Sequence, residues 1–313
     1  MSSPGETAMA PGARAAAGDL PSAPAVGRVR APWRAPLRLA AFGACVAASF
    51  ADFVLRAGLA RPANATLARA RWAQRWGCRF LRVLGVEVTG SGRPPAVGVL
   101  VCNHLGYVDI LVLGAAQPLV FVAKSELRAW PVIGWVARCA GAVFVDRTRP
   151  RDVRRVIGEF PRVVAAGVVV AFFPEGTSSD GRTVLPFHPS LLAPAVRQGW
   201  SVTPAWLEYA VDAGDGNAAD EVCWWGDAGF AGHFWNFLSK RRIRARIRYG
   251  EPQPPGSDCK ALAHHLHLQV CGLGGVTPGP GDLQARAELS AGRCPAGWRR
   301  PGGRGPAPAH RAR

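Results

Sequence analysis

The chain has 313 residues and a formal charge of +17, carried almost wholly by arginine, since Lys124, Lys240 and Lys260 are its only lysines. That balance favours an anionic partner, but no zinc-finger spacing, RNA-binding sheet signature or helix-turn-helix accompanies it, which argues against nucleic acid and leaves an acidic membrane surface. The eight cysteines (45, 78, 102, 139, 223, 259, 271 and 294) stand singly with no CxxC pair, so they read as small apolar residues in a reducing compartment and not as a disulfide framework.

Residues 1–36 and 273–313 are Ala-, Gly-, Pro- and Arg-rich without apolar periodicity, and are read as disordered tails. No basic region leads from Met1 into a core and cleavage site, so a secretory signal is not expected. Between Leu39 and Leu55 only Asp52 is charged, and Arg38 and Arg56 flank the run. This is the lower limit of the ~17–25 residues a spanning helix needs, and the aspartate argues against a clean span. The next segment sets Leu67, Trp72, Trp76, Phe80 and Leu84 at helical spacing, with Arg69, Arg71, Arg75, Arg79 and Arg82 filling much of the rest. Residues 37–85 therefore read as a helical pair that dips into or lies on one leaflet, with an ordinary surface helix of the core as the alternative for the second member.

From residue 86 to 272 short apolar runs alternate with longer amphipathic ones. Strands are predicted over Val86–Thr89, Val97–Cys102, Leu119–Ala123, Ala142–Val145, Val168–Phe173, Val202–Tyr209 and Arg242–Tyr249. Helices are predicted over Val108–Ala115, Val132–Cys139, Arg151–Ala166, Pro189–Gln198, Phe230–Leu238 and Lys260–Leu273. Continuously apolar strands separated by helices indicate an α/β domain whose sheet is covered on both faces, with ligands gathered at strand ends.

Two constellations fall just past such strands. In "NHLGYVD", residues 103–109, His104 and Asp109 would be well apart around a continuous helix, because five positions turn through about 500°. They meet if His104 sits in a turn and the helix starts near Gly106–Tyr107, which puts Asp109 in the first helical turn. There the carboxylate holds one imidazole nitrogen and leaves the other free to accept a proton. In "FFPEGTSSDG", residues 172–181, the strand runs into Glu175, Gly176, Thr177 and Ser178, a loop suited to close approach of an anionic or hydroxylated head group. Lys124 and Arg147 close two further apolar runs. The strictly alternating "RRIRARIRY", 241–249, reads either as an edge strand with solvated charges or as an arginine stripe against anionic lipid or an acidic carrier protein. "HHLH" at 264–267 is read as helix surface and not as a metal site.

Taken in order, "NHLGYVD", "KSEL…PVIGW…GAVFVDR", "FPEGTSSDG…LPFHPSLL" and "VTPAWLEY" resemble the four sequence blocks of the glycerolipid acyltransferases, and within them the bacterial 1-acylglycerol-3-phosphate acyltransferase type. The resemblance implies a mixed central sheet flanked by helices and a catalytic domain over 86–272. It implies His104 as general base, Asp109 as its support, Lys124, Arg147, Glu175, Gly176 and Thr177 around the acceptor head group, and Asn103 and Ser178 as further substrate-binding residues. Pro204 would shape the acyl or acceptor pocket. The reaction implied moves an acyl group from acyl-CoA or acyl-ACP, as co-substrate, to the hydroxyl of 1-acylglycerol 3-phosphate. It takes place at the cytoplasmic face of a bacterial inner membrane and calls for no metal or further cofactor. Partners would be membrane lipids, the lysophospholipid acceptor and the thioester carrier, with no oligomeric state implied. Two departures bear on the acceptor: Ser178 stands where many members carry arginine, and His188 stands where a basic residue is common. They open the way to a lyso-ornithine lipid acceptor, whose branch has the same FPEGTSSDG form. A non-catalytic basic membrane-binding protein with a degenerate acyltransferase core is the alternative of another class.

Overall fold

The computed structural model describes residues 31–59 and 62–278, so the predicted tails lie outside the described residues except for 31–36 and 273–278. In chain order the elements are α1 (Arg34–Leu59), α2 (Ala65–Leu84), β1 (Val86–Ser91), β2 (Val99–Cys102), α3 (Asp109–Ala116), β3 (Leu119–Lys124), α4 (Ile133–Cys139), β4 (Val143–Val145), α5 (Pro150–Ala165), β5 (Val169–Phe172), α6 (Ala193–Gln198), β6 (Val202–Val211), α7 (Ala218–Glu221), α8 (Phe230–Ser239), β7 (Ile243–Tyr249) and α9 (Cys259–Gly274). Short 3₁₀ turns at Ser125–Ala129 and Pro189–Leu192 precede α4 and α6. Every predicted strand and helix is present, with small shifts at the ends. The sequence reading missed α7 and the first 3₁₀ turn, which are too short to carry a periodic signal. It also placed Arg34–Pro36 in a disordered tail, whereas they form the first turn of α1, where proline is tolerated.

The seven strands form one sheet in the order β1-β7-β6-β2-β5-β3-β4. The β6–β7 pair is antiparallel and the other neighbours are parallel, so the sheet is mixed. β2 and β5 are buried along their whole length, as expected of strands covered on both faces. On one face Leu100, Cys102, Ala205, Leu207, Ala245 and Ile247 pack against α2, α3 and α8. On the other, Val99, Val101, Val170, Val202 and Trp206 pack against α5, α6 and α9.

β7 alternates as predicted, burying Ile243, Ala245, Ile247 and Tyr249, but it is not an edge strand, since β1 and β6 flank it. Nor do its arginines form an unneutralised stripe. Arg242 pairs with Glu87 at 3.2 Å, Arg246 and Arg248 with Glu208 at 3.4 and 2.8 Å, and Arg244 with Asp212. The acids come from β1, β6 and the turn after it, elements that the alternation of β7 alone does not reveal. In α9, His267 is buried against the Val184 carbonyl at 3.1 Å, so "HHLH" does not lie wholly on the helix surface.

α1 and α2 pack as a pair. Asp52 pairs with Arg56 at 2.7 Å and accepts a hydrogen bond from the Trp76 indole at 2.9 Å, so the one acid of the apolar run joins the two helices. An aromatic cluster fills the space between them and α4, with Phe53 against Trp72 at 5.3 Å and Phe50 against Trp135 at 4.9 Å. At its other end α1 is tied down by Arg38, whose guanidinium donates to the carbonyls of Leu238, Lys240 and Arg241 at the end of α8. That corner is built on a buried ion pair. Lys240 is 1% exposed and meets Glu221 of α7, which also accepts from Asn236 at 2.7 Å. Glu221→Ala leaves the ammonium buried without its counter-ion, and is expected to cost ~3–5 kcal/mol. The measurement is a denaturant midpoint in detergent, where adding Lys240→Met should recover most of the loss.

Candidate active site

β2 ends at Cys102 between β5 and β6, and the next residues fold into a tight loop leading to α3. Asn103 continues the ladder with its side chain: its carbonyl accepts from the Leu207 amide at 2.7 Å and its amide donates to the Leu207 carbonyl at 2.9 Å. His104 is held on every side. Its backbone N–H donates to Glu175 at 2.7 Å, its carbonyl accepts from the Ser179 amide at 2.9 Å, and its ring stacks on Phe173 with centroids 4.1 Å apart. Its Nδ1 lies 2.8 Å from Asp109 Oδ2.

Asp109, fully buried at the start of α3, gathers four donors. Oδ2 takes the amides of Leu105 (2.6 Å) and Gly106 (2.9 Å) besides the imidazole, and Oδ1 takes the Tyr209 hydroxyl at 2.8 Å. Because the carboxylate only accepts, the imidazole proton belongs on Nδ1, and Nε2 is left as a basic nitrogen without a hydrogen-bond partner among the described residues. Glycine at 106 lets the segment at Trp224 lie against the turn: a Cβ there would come within 3.0 Å of the Trp224 amide nitrogen, which donates to the Leu105 carbonyl at 2.8 Å.

His104 lines a cavity of about 930 Å³ walled by α1, α2, α3, α4 and α8, with Phe42, Trp76, Ile110, Trp135 and Phe234 among the lining. No charged side chain contributes to that wall among the described residues, and apart from indoles its only polar side chains are His104 and Tyr107. Tyr107 is fixed by His233, whose Nδ1 lies 3.0 Å from the phenol and which burial holds down at a pKa of about 4, hence neutral. A charge-free chamber of this size, within the ~300–1,000 Å³ usual for ligand pockets, suits a hydrocarbon chain.

The other predicted site residues divide. Arg147 and His188 converge on Gly176: a Cβ on residue 176 would lie 2.8 Å from an Arg147 guanidinium nitrogen and 3.4 Å from His188 Nε2, and its φ of +82° also suits glycine. Arg147 donates as well to the carbonyl of Phe173, the residue stacked on His104. Thr177 is exposed on the same loop. The structure gives the side chains of the remaining five other partners or directions. Asn103 is spent on β6. Glu175 turns both oxygens inward, to the amides of His104 and Leu185 (2.8 Å), and so braces the loop. The Ser178 hydroxyl donates to the Trp224 carbonyl at 2.5 Å. Lys124 points outward and pairs with Glu126 at 3.2 Å. Pro204 shares the strand face of Val202 and Trp206, opposite the cavity, because alternation along β6 puts Ala205, Leu207 and Tyr209 on the cavity side. Phe173 and Tyr209 were not singled out in the sequence; for Tyr209 the available signal was a polar residue in register with the inward positions of a buried strand.

Burial pushes the Glu175 carboxyl from its ordinary 4.5 up to about 8, although the two amides pull it back in part. An acid whose pKa rises on folding contributes stability that is full below its unfolded value and lost as pH rises through the folded one. Wild-type stability should therefore slope downward between about pH 4.5 and 8, and Glu175→Gln should lack that slope. The glutamine should also lose ~1–3 kcal/mol, since its NH₂ faces an amide donor. Urea titrations at pH 5 and pH 8 check both statements.

The profile of the acyltransferase family matches residues 85–208. The chain is 38% identical over 171 residues to the lyso-ornithine lipid O-acyltransferase of Rhodobacter capsulatus, covering 53% of this chain and 61% of that protein. It is 34% identical over 210 residues to the lyso-ornithine lipid O-acyltransferase of Pseudomonas aeruginosa, covering 66% of this chain and 80% of the relative. With the 1-acyl-sn-glycerol-3-phosphate acyltransferase of Neisseria meningitidis the identity is 32% over 167 residues, 53% of this chain and 64% of the relative. In fold it is similar to the crystal structure of the 1-acyl-sn-glycerophosphate acyltransferase PlsC from Thermotoga maritima, with a TM-score of 0.60 and 22% identity over 82% of this chain and 98% of the other. With the motifs and this architecture in hand, the chain belongs to the acyltransferase family.

Proposed function

We propose that the chain is a lysolipid O-acyltransferase, and the observation that carries the reading is the His104–Asp109 pair opening onto a charge-free cavity. His104 Nε2 removes the proton from the acceptor hydroxyl while Asp109 holds Nδ1–H and stabilises the imidazolium. The acceptor oxygen bonds to the thioester carbonyl carbon. The tetrahedral adduct then collapses with cleavage of the C–S bond, and the departing sulfur takes the proton back from the imidazolium. A thioester is already activated, so one placed base and good alignment supply much of the acceleration. Of the acceptors, 1-acylglycerol 3-phosphate would give phosphatidate. Lyso-ornithine lipid is the second reading, favoured by Ser178, whose hydroxyl is spent on Trp224 at a position suited to a phosphate ligand. Arg147 with His188 then remains to meet one head-group anion, and the two most identical relatives described above bear that activity in their names.

Acyl-CoA and acyl-ACP tried with both acceptors test this. Product should form with at least one pair, and His104→Ala and folded Asp109→Asn should each lower turnover by at least ~100-fold. Equal product from wild type and His104→Ala with every pair would leave a non-catalytic membrane protein as the better reading.

α1 supports membrane association. Over Arg34–Arg56 it is long and apolar enough to cross a bilayer, and little of it is buried. One side of the helix lines the cavity while Leu37, Val54 and Leu55 face outward. We place the protein with this side in one leaflet at the cytoplasmic face, so that lipid and thioester reach His104 from opposite sides. Leu37→Asp, Val54→Asp and Leu55→Asp combined should release the protein from anionic vesicles in a flotation assay; full retention would move attachment to other surfaces.

A further inference from the structure

We infer that Tyr209 is a positioning residue of the active site, acting on the base through Asp109; the inference rests on His104 being the base proposed above. The two carboxylate oxygens are served very differently. Oδ2 has three donors, the His104 ring and the amides of Leu105 and Gly106, all within its own loop. Among the described residues Oδ1 has one hydrogen bond, from the Tyr209 phenol at 2.8 Å, on a strand 100 residues further along the chain. Two residues earlier on the same strand and the same face, Leu207 exchanges both its backbone hydrogen bonds with the Asn103 side chain. β6 thus clasps the loop 103–109 at both ends, once through its backbone and once through a hydroxyl.

The chemistry gives that hydroxyl a task. When the imidazole takes the acceptor's proton, Asp109 has to hold the new positive charge, and its plane must stay aligned with the ring. A hydrogen bond on the far oxygen fixes the plane and draws off part of the negative charge. Without it a buried carboxylate oxygen is left unpaired, which strengthens the carboxylate's hold on a proton, whether its own or that of the imidazolium. Either way, the neutral imidazole beside an ionised carboxylate is reached only at higher pH.

Other titratable groups face the pair from neighbouring elements. They are Cys102 at the end of β2, Cys223 ahead of α8 and Glu175 after β5, all raised by burial. The Tyr209 phenol is itself raised by burial and by Asp109, so it remains a donor. The other three groups are the same in wild type and in a Tyr209 variant, so a difference in pH profile between the two belongs to Tyr209.

The test is kcat/KM against pH for wild type and Tyr209→Phe, with acyl-CoA and the acceptor that the panel identifies. The phenylalanine keeps the ring and removes only the donor. We expect a roughly 10- to 100-fold fall in kcat, an unchanged acceptor KM, and an acid limb displaced to higher pH. In the Asp109→Asn background the same substitution should add little, since its route to the base is already cut. A folded Tyr209→Phe enzyme with wild-type kcat and acid limb overturns the inference, and so does an equal loss in both backgrounds, which would mark a packing role. If circular dichroism shows Tyr209→Phe unfolded, replacing the protein's three tyrosines with 3-fluorotyrosine, a stronger donor, should move the limb to lower pH, and an unmoved limb again overturns it. Full activity in His104→Ala would instead overturn the choice of base, whereas loss there beside a wild-type-like Tyr209→Phe sinks this inference alone.

Discussion

The buried carboxylate of Asp109 is the point on which the active site is hung. A fully desolvated acid is tolerated only where donors replace the water it has lost, and four of them converge here. Satisfying the carboxylate folds the chain: the two amides curl residues 105–109 into a turn, the imidazole is pulled into one orientation, and β6 is drawn in through its tyrosine. The geometry required of a base is therefore obtained as a by-product of pairing a buried charge.

The rest of the site follows from that anchor. Phe173 covers one face of the imidazole, and its carbonyl is in turn held by Arg147, so the cationic corner at Gly176 is mechanically linked to His104. Glu175, between them in sequence, looks like a ligand in the loop motif but works as a brace, spending both oxygens on backbone amides. The apolar cavity and the polar loop meet at His104. This division suits a reaction that joins a hydrocarbon chain to a hydroxyl carried by a charged head group.

The large positive charge is arranged to stay out of this region. On β7 the arginines are matched by acids of β1, β6 and the turn after it, and the arginines of α2 lie away from the cavity wall. The helix α1 is clamped to the core at both ends, by Arg38 over the end of α8 and by Asp52 against Trp76. A helix that could be taken for a simple anchor is thereby made part of the cavity wall, while Leu37, Val54 and Leu55 stay exposed.

Local pattern determined much of this. Apolar runs of strand length and helical spacings were enough for the α/β order, because burial on both faces leaves a signal in every four or five residues. The His104–Asp109 pair was legible from its spacing, since only a turn followed by a helix start lets the two meet. Tertiary structure alone decided which residues complete the site. Tyr209 reaches Asp109, and Glu175 reaches His104, across 100 and 71 positions, and no local period encodes such a contact. It also decided that Pro204 faces away and that β7 is interior. The sidedness of a strand is set by its neighbours in the sheet, which the strand's own alternation cannot name.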